Sequence, residues 1–184
     1  MRVLAQRKMT VDEFLAWAEG QEGRWELHNG VPYAMPSERL GHIRIKYRIY
    51  FALQRAIQKA GLPCHVEGDG TGVRISSHVM HNPDAVVYSG PELPDDALEV
   101  PNPIVLVEVV SPSTRKYDDT VKANDYFSLP SVHHYLIVDS NGPPVVHRSR
   151  QADGTILKSD VRDGKLMLSP PGIELAVAEL FELA

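Results

Sequence analysis

The stretch Ile104-Val-Leu-Val-Glu-Val-Val110 decides how this chain folds. Six of its seven residues are Val, Ile or Leu, with Pro103 before it and Ser111-Pro112 after it, so it predicts a strand covered on both faces. Its one carboxylate is out of place there. Two-residue alternation puts Glu108 on the face of Ile104, Leu106 and Val110. An unpaired ion on such a face costs on the order of several kcal/mol. A metal ion, a buried Lys or Arg, or an opening to solvent at the strand's C-terminal end can offset that cost, and the residues alone leave all three open.

Around this stretch lie 184 residues, 43% of them hydrophobic, enough for one sizeable core and short for two, so a single domain over residues 1–184 is expected. A formal net charge of -5 argues against a surface that grips phosphate backbones everywhere, while leaving room for a local basic patch. The single cysteine, Cys64, excludes an intramolecular disulfide and any cysteine-based zinc cluster. The opening Met1-Arg-Val-Leu-Ala-Gln-Arg-Lys8 has too little apolar length for a secretory signal, and no later stretch is suited to span a bilayer. A cytoplasmic protein with no membrane partner is the resulting expectation.

Upstream of the central strand, Thr10-Val-Asp-Glu13 has capping-box spacing and predicts a short helix burying Val11, Phe14, Leu15 and Ala18. Asn29-Gly30, between the alternating runs of residues 24–35, predicts a hairpin. In its first strand Glu26 shares a face with Arg24 and His28, opposite Trp25 and Leu27, and pattern alone makes it solvent-facing. Residues 41–60 predict the long helix, with an inner stripe of Ile43, Tyr47, Tyr50, Leu53 and Ile57 widened by Ile45, Ile49 and Ala56. Arg39, Arg44, Lys46, Arg48, Arg55 and Lys59 make this segment basic. It offers either a phosphate-facing surface or a solvated face balancing acidic loops. Residues 64–76 look extended and broken by glycines, and residues 82–88 give a short strand with Asp84 at its entrance, oriented by Pro83. The acidic, proline-rich loop of residues 89–103 is expected to be exposed and mobile.

Downstream, residues 118–129 predict a helix with Ala123, Tyr126 and Phe127 inward and Lys122 on the margin of that stripe. Residues 134–139 predict another buried strand, residues 145–168 a meander, and residues 173–183 a short amphipathic helix. This order spells an α/β or α+β domain with a mixed central sheet flanked by helices.

Asp84, Glu108 and Lys122 then form a candidate constellation. Two carboxylates from neighbouring strands suit a hard cation such as Mg2+, and an amine beside them can orient water or stabilise charge on phosphorus oxygens. Strand acids are common, so the spacing by itself is weak.

Pro83-Asp84 followed by Glu108-x-Val110 resembles the PD-(D/E)xK nuclease superfamily. More closely, Thr10-Val-Asp-Glu-Phe-Leu, Trp25-Glu-Leu-His-Asn-Gly, Pro83-Asp-Ala-Val-Val-Tyr, Glu108-Val-Val-Ser-Pro-Ser-Thr-Arg115, Tyr117-Asp118, Lys122, Tyr135-Leu-Ile-Val-Asp139 and Glu179-Leu-Phe181 follow in order the pattern of the Uma-two family of restriction-endonuclease-like proteins. The resemblance runs from about residue 9 to residue 182, and Glu-Val-Val-Ser-Pro-Ser-Thr is its most specific part. It implies a restriction-endonuclease-like fold, a metal site of Asp84 and Glu108 holding Mg2+ or Mn2+, nucleic acid (DNA above all) as substrate, and a homodimer. Val110 stands where the superfamily has its lysine, and the resemblance carries that role to Lys122. It also matches Glu26 to the family's first-strand acid, as an extra ligand or base, and His42 to a family histidine. His42, Arg44, Arg48, Arg115 and Tyr117 are candidates for nucleic-acid contact.

Three readings follow. The first is a Mg2+- or Mn2+-dependent endonuclease with Asp84, Glu108, Lys122 and Glu26 as its catalytic set. The second is a catalytically inactive nuclease-fold binding or scaffold protein. The third keeps Glu108 and Lys122 as a structural ion pair, which leaves Asp84 without a reason to share the site.

Overall fold

The structure, a computed structural model, describes residues 8–111 and 115–182. Its central feature is a six-stranded sheet in the order β10-β9-β8-β7-β6-β3. These strands are β3 (Cys64–Gly68), β6 (Ala85–Ser89), β7 (Val105–Val110), β8 (His134–Asp139), β9 (Val145–Arg150) and β10 (Ile156–Val161). All six residues of β7 are buried, as the apolar run predicts. It pairs antiparallel with β6 and parallel with β8, so the sheet is mixed.

One face of this sheet is covered by α2 (Leu40–Ala60), whose Ile45, Ile49 and Leu53 pack on Val87, Val105, Val107 and Val109. The hairpin of β11 (Lys165–Leu168) and β12 (Ile173–Ala176) closes the same core. On the opposite face Leu106, Val110 and Tyr135 meet Ala123 and Tyr126, from a helical segment in three parts. These are α3 (Arg115–Tyr117), a π-helical turn (Asp118–Lys122) and α4 (Ala123–Ser128).

A second sheet, ordered β2-β1-β5-β4, contains β1 (Trp25–His28), β2 (Val31–Ala34), β4 (Val73–Ser76) and β5 (Val79–His81). Its hairpin turns at Asn29 (φ 50°) and Gly30 (φ 81°) with His28 opposite Val31, the left-handed pair that a two-residue loop demands. The helix α1 (Val11–Ala18) starts on the complete Thr10/Glu13 capping box and packs Val11 and Phe14 on Leu27 and Met80.

Several expectations change. The inner stripe of α2 is rotated: Ile45, Ile49, Ala52 and Leu53 face the core, whereas Tyr47 is exposed and Lys46, counted among the basic face, is buried. Both stripes satisfy helical spacing, and the purely aliphatic one wins because the aromatic one borders a cleft. The tail of residues 173–183 is not a helix over its described part. Ile173, Leu175 and Val177 are buried in alternation, the period of a strand, and only Ala178–Leu180 forms a 3-10 turn; residue 183 lies outside the described residues. The predicted helix of residues 118–129 begins at Arg115 within the described residues and is π-helical at its centre. The acidic loop is largely exposed but anchored where Val100 is buried and Glu99 receives Arg74 at 2.7 Å.

Candidate active site

The ends of β6 and β7, the start of α2, the three-part helix and the second sheet converge on a group of charged side chains. Among the described residues, Glu26, Asp84, Glu108, Asp118, Lys46 and Lys122 are all buried. Local sequence places some of them, and contacts between distant segments place the others.

Asp84 precedes β6. Its amide donates to the Val107 carbonyl at 2.9 Å and its Oδ2 accepts the Val109 amide at 2.6 Å, which ties Asp84 to the β7 backbone on either side of Glu108. Pro83 offers no amide to the ladder, leaving Asp84 as its first donor. The Asp84 Oδ1 lies 2.6 Å from Lys46 Nζ, and His42 Nε2 is 4.0 Å from Oδ2. Lys46 also reaches Asp69 at 2.9 Å and pairs with Glu38, while Arg24 pairs with both Glu38 and Asp69. This network forms one wall of a cleft of about 710 Å³, which Met35, Tyr47, Tyr50 and Phe51 also line. One ligand atom from each of Glu38, His42 and Asp84 can be chosen so that all lie within 4.8 Å of one another.

Glu108 is held instead by the three-part helix, on the face of Leu106 and Val110. Its Oε1 accepts Lys122 Nζ at 2.9 Å and the Tyr126 hydroxyl at 2.7 Å. Lys122 Nζ also donates to Glu26 Oε1 at 2.8 Å and lies 3.7 Å from Asp118 Oδ1. The π turn accounts for the position of Lys122. A straight α-helical projection leaves Lys122 on the margin, whereas the wider turn sets both Asp118 and Lys122 inward.

Glu26 corrects the expectation from alternation. It keeps the face it shares with His28, opposite Leu27, but Glu26 itself is only 6% exposed. The small sheet is covered by α1 on one side and by the Lys122 helix on the other, so a pattern that normally means a solvated face here means a second buried one. Glu26 Oε1 also accepts the Asn82 amide at 2.9 Å, and Oε2 lies 2.9 Å from His28 Nε2 and 4.0 Å from His81 Nδ1.

The electrostatics follow from burial and crowding. Burial raises the Glu108 carboxyl well above its ordinary range, since Asp84, Asp118 and Glu26 add to that effect and the one ammonium does not cancel them. Burial opposes the charge on Lys122, yet Glu108, Glu26 and Asp118 outweigh it and keep the amine an ammonium. Burial works against Glu26 too, but His28, Lys122 and His81 hold that carboxyl far below the usual range. Asp84 is shifted up by burial, with Lys46 and the Val109 amide opposing.

The candidate nucleic-acid residues are dispersed. Arg44 is exposed beside Tyr47, Arg48 and Phe51, and His42 sits in the first turn of α2. Arg48 donates to the Phe181 carbonyl, Arg115 reaches Asp139 at 3.0 Å, and the Tyr117 hydroxyl is 3.1 Å from His28 Nδ1. Lys46, Glu38, Asp69 and His81 were not singled out from sequence. Lys46 carries a signal in retrospect, standing one helical turn after His42 and one before Tyr50.

Comparison with known proteins agrees with this architecture. The model of the Uma2 family, described as "Putative restriction endonuclease", matches residues 11–178. The uncharacterized protein slr1290 of Synechocystis sp. is 27% identical over 177 residues, 95% of this chain and 92% of that one. A crystal structure described as a putative nuclease belonging to DUF820, from Anabaena variabilis, aligns with a TM-score of 0.72 at 16% identity, covering 94% of this chain and 97% of that chain, and so shares the fold. With most of its length matched by the family model, the chain belongs to the Uma2 family of restriction-endonuclease-like proteins.

Proposed function

We propose that this chain is a single nuclease-like domain that hydrolyses phosphodiester bonds of DNA, using Mg2+ or Mn2+ held by Asp84 and Glu108. The observation that carries this reading is the crowding of buried carboxyl groups. Among the described residues four carboxylates are buried around the site (Glu26, Asp84, Glu108 and Asp118) against two ammonium groups, Lys46 and Lys122. A hard divalent cation among these oxygens would relieve the burial and crowding that hold the Glu108 and Asp84 carboxyls above their ordinary range. Asp84 is tied to the β7 backbone on either side of Glu108, by its amide to the Val107 carbonyl and by its Oδ2 to the Val109 amide.

A divalent cation there supplies Lewis acidity toward a phosphodiester and makes a nearby water easier to deprotonate. The chain's own residues do the rest. Lys122, kept as an ammonium by its carboxylates, orients the attacking water and stabilises negative charge on the phosphorus oxygens rather than acting as a base. Glu26 positions Lys122 through Oε1. Tyr126 donates to the same Glu108 oxygen, Oε1, as Lys122. His42 and Arg44, at the head of α2, would meet the backbone of the substrate, with Arg115 and Tyr117 as further contacts once released from Asp139 and His28. A homodimer that sets two α2 helices along one cleft would give an acidic chain a basic substrate surface, and a monomeric sedimentation profile would count against it. The single cysteine fits a cytoplasmic setting.

A second reading, a nuclease-fold binding protein without turnover, is favoured by one observation: Asp84 and Glu108 already hold Lys46 and Lys122. Incubating supercoiled plasmid DNA and single-stranded RNA with the protein, with Mg2+, Mn2+ or EDTA, separates the two. The nuclease reading predicts metal-dependent nicking or linearisation that Asp84→Ala abolishes. Nucleic-acid binding unchanged by Asp84→Ala, with no cleavage under either cation, supports the second reading and ends the first.

A further inference from the structure

We propose that Glu26, His28 and His81 form a second metal site, chemically distinct from the Asp84–Glu108 pair and selective for a transition-metal dication such as Zn2+. It stands on its own geometry and does not depend on the nuclease reading. One ligand atom from each of the three residues can be chosen so that all lie within 4.8 Å of one another. Around a tetrahedral ion with bonds of about 2.0–2.1 Å, ligand atoms stand roughly 3.3 Å apart. The spacings from Glu26 Oε2 to His28 Nε2 (2.9 Å) and to His81 Nδ1 (4.0 Å) bracket that value.

Each ligand is also oriented from behind. The His81 Nε2 lies 2.7 Å from Asp125 Oδ2, which fixes the proton on Nε2 and leaves Nδ1 as a bare lone pair. That Nδ1 is buried, has no hydrogen-bond partner among the described residues, and belongs to a residue 1% exposed. An unpaired buried imidazole nitrogen is costly unless something binds it. His28 is held too: the Tyr117 hydroxyl lies 3.1 Å from its Nδ1 and 3.4 Å from its Nε2, Nε2 is 2.9 Å from Glu26 Oε2, and the ring stacks on Tyr33 and Tyr117. Glu26 divides its oxygens likewise, Oε1 being taken by Lys122 and the Asn82 amide while Oε2 faces the two imidazoles. Carboxylate or hydroxyl partners behind metal-facing imidazoles are the usual support of a histidine metal site. Two imidazoles and one carboxylate suit Zn2+, Co2+ or Ni2+ and disfavour Mg2+, which takes oxygen donors.

Titration calorimetry of the full chain with Zn2+, and with Co2+ monitored by visible absorption, tests the site without reference to cleavage. With Mg2+ at saturation to occupy the Asp84–Glu108 pair, the expected result is one tightly bound Zn2+ per chain and a Co2+ spectrum of low-coordinate form. His28→Gln and His81→Gln should each weaken binding by more than about 100-fold, and Asp125→Asn, behind the ligand, by about 10- to 100-fold. Asp84→Asn and Glu108→Gln should leave Zn2+ affinity unchanged. His28 is partly exposed, so His28→Gln decides the matter if His81→Gln does not fold. Absence of Zn2+ binding, or binding that His28→Gln leaves intact, overturns the proposal. Loss of Zn2+ binding in Asp84→Asn instead assigns the ion to the Asp84 group and overturns it equally.

Discussion

Lys122 Nζ lies 2.9 Å from Glu108 Oε1, an ion pair buried on both sides and formed between a strand and the π turn that follows it. The pair is unbalanced, because the same ammonium also serves Glu26 and approaches Asp118. Replacing Lys122 by Met therefore leaves more than one buried carboxylate unpaired. Lys122→Met should cost about 3 kcal/mol or more in urea unfolding with EDTA present, and Mn2+ should restore part of that loss. A neutral Lys122→Met would return Glu108 and Lys122 to a simple structural pair that an apolar isostere replaces.

Glu108→Gln is expected to separate stability from chemistry. Burial and three neighbouring carboxylates raise the Glu108 carboxyl, so its ionised form is disfavoured in the fold, and a neutral isostere should stabilise the metal-free protein by roughly 0.5–2 kcal/mol. Plasmid cleavage should fall by at least about 100-fold in the same variant. Thermal melts in EDTA and a Mn2+ cleavage assay read the two effects.

Asp84→Asn should behave differently. Lys46 keeps Asp69 and Glu38 as partners, so the variant should lose only about 1–2 kcal/mol, chiefly from the charge-assisted bond to the Val109 amide. Cleavage should nonetheless be lost. Denaturant midpoints and cleavage rates of one preparation check both statements.

Acid should destabilise the fold through its buried histidines. Burial, with His147 adding to it, depresses His134 to about 4 from an ordinary value of 6.5, and burial likewise lowers His147. The unfolded chain therefore binds more protons between those values. The stability His134 contributes is fully present above pH 6.5 and is lost as pH falls toward 4, about 3 kcal/mol in all. Urea midpoints from pH 7.5 to 4.5 should decline accordingly, and His134→Gln should flatten the decline.

Much of this architecture is legible in the residues. The apolar run of β7, the Asn29-Gly30 turn, the capping box at Thr10 and the Pro83-Asp84 entry each act locally, and local chemistry is visible in a single sequence. What escaped depends on contacts between distant segments. Glu26 is buried because a helix nearly a hundred residues later covers its face, and strand alternation does not report which faces are covered. Lys46 reads as one more charge on a basic helix until its stripe is seen to meet Asp84. The π turn at Asp118–Lys122 rotates Lys122 inward, and a 3.6-residue projection has no term for it. The tail shows the reverse hazard: in residues 173–177 alternation and helical spacing both fit, and pairing with β11 settles it.

The central claim is that Asp84 and Glu108 share one divalent cation, and a crystal soaked in Mn2+ tests it most directly. An anomalous peak within about 2.0–2.3 Å of oxygens from both residues is the predicted result. No peak there at saturating Mn2+, or a peak confined to Glu26, His28 and His81, would contradict it.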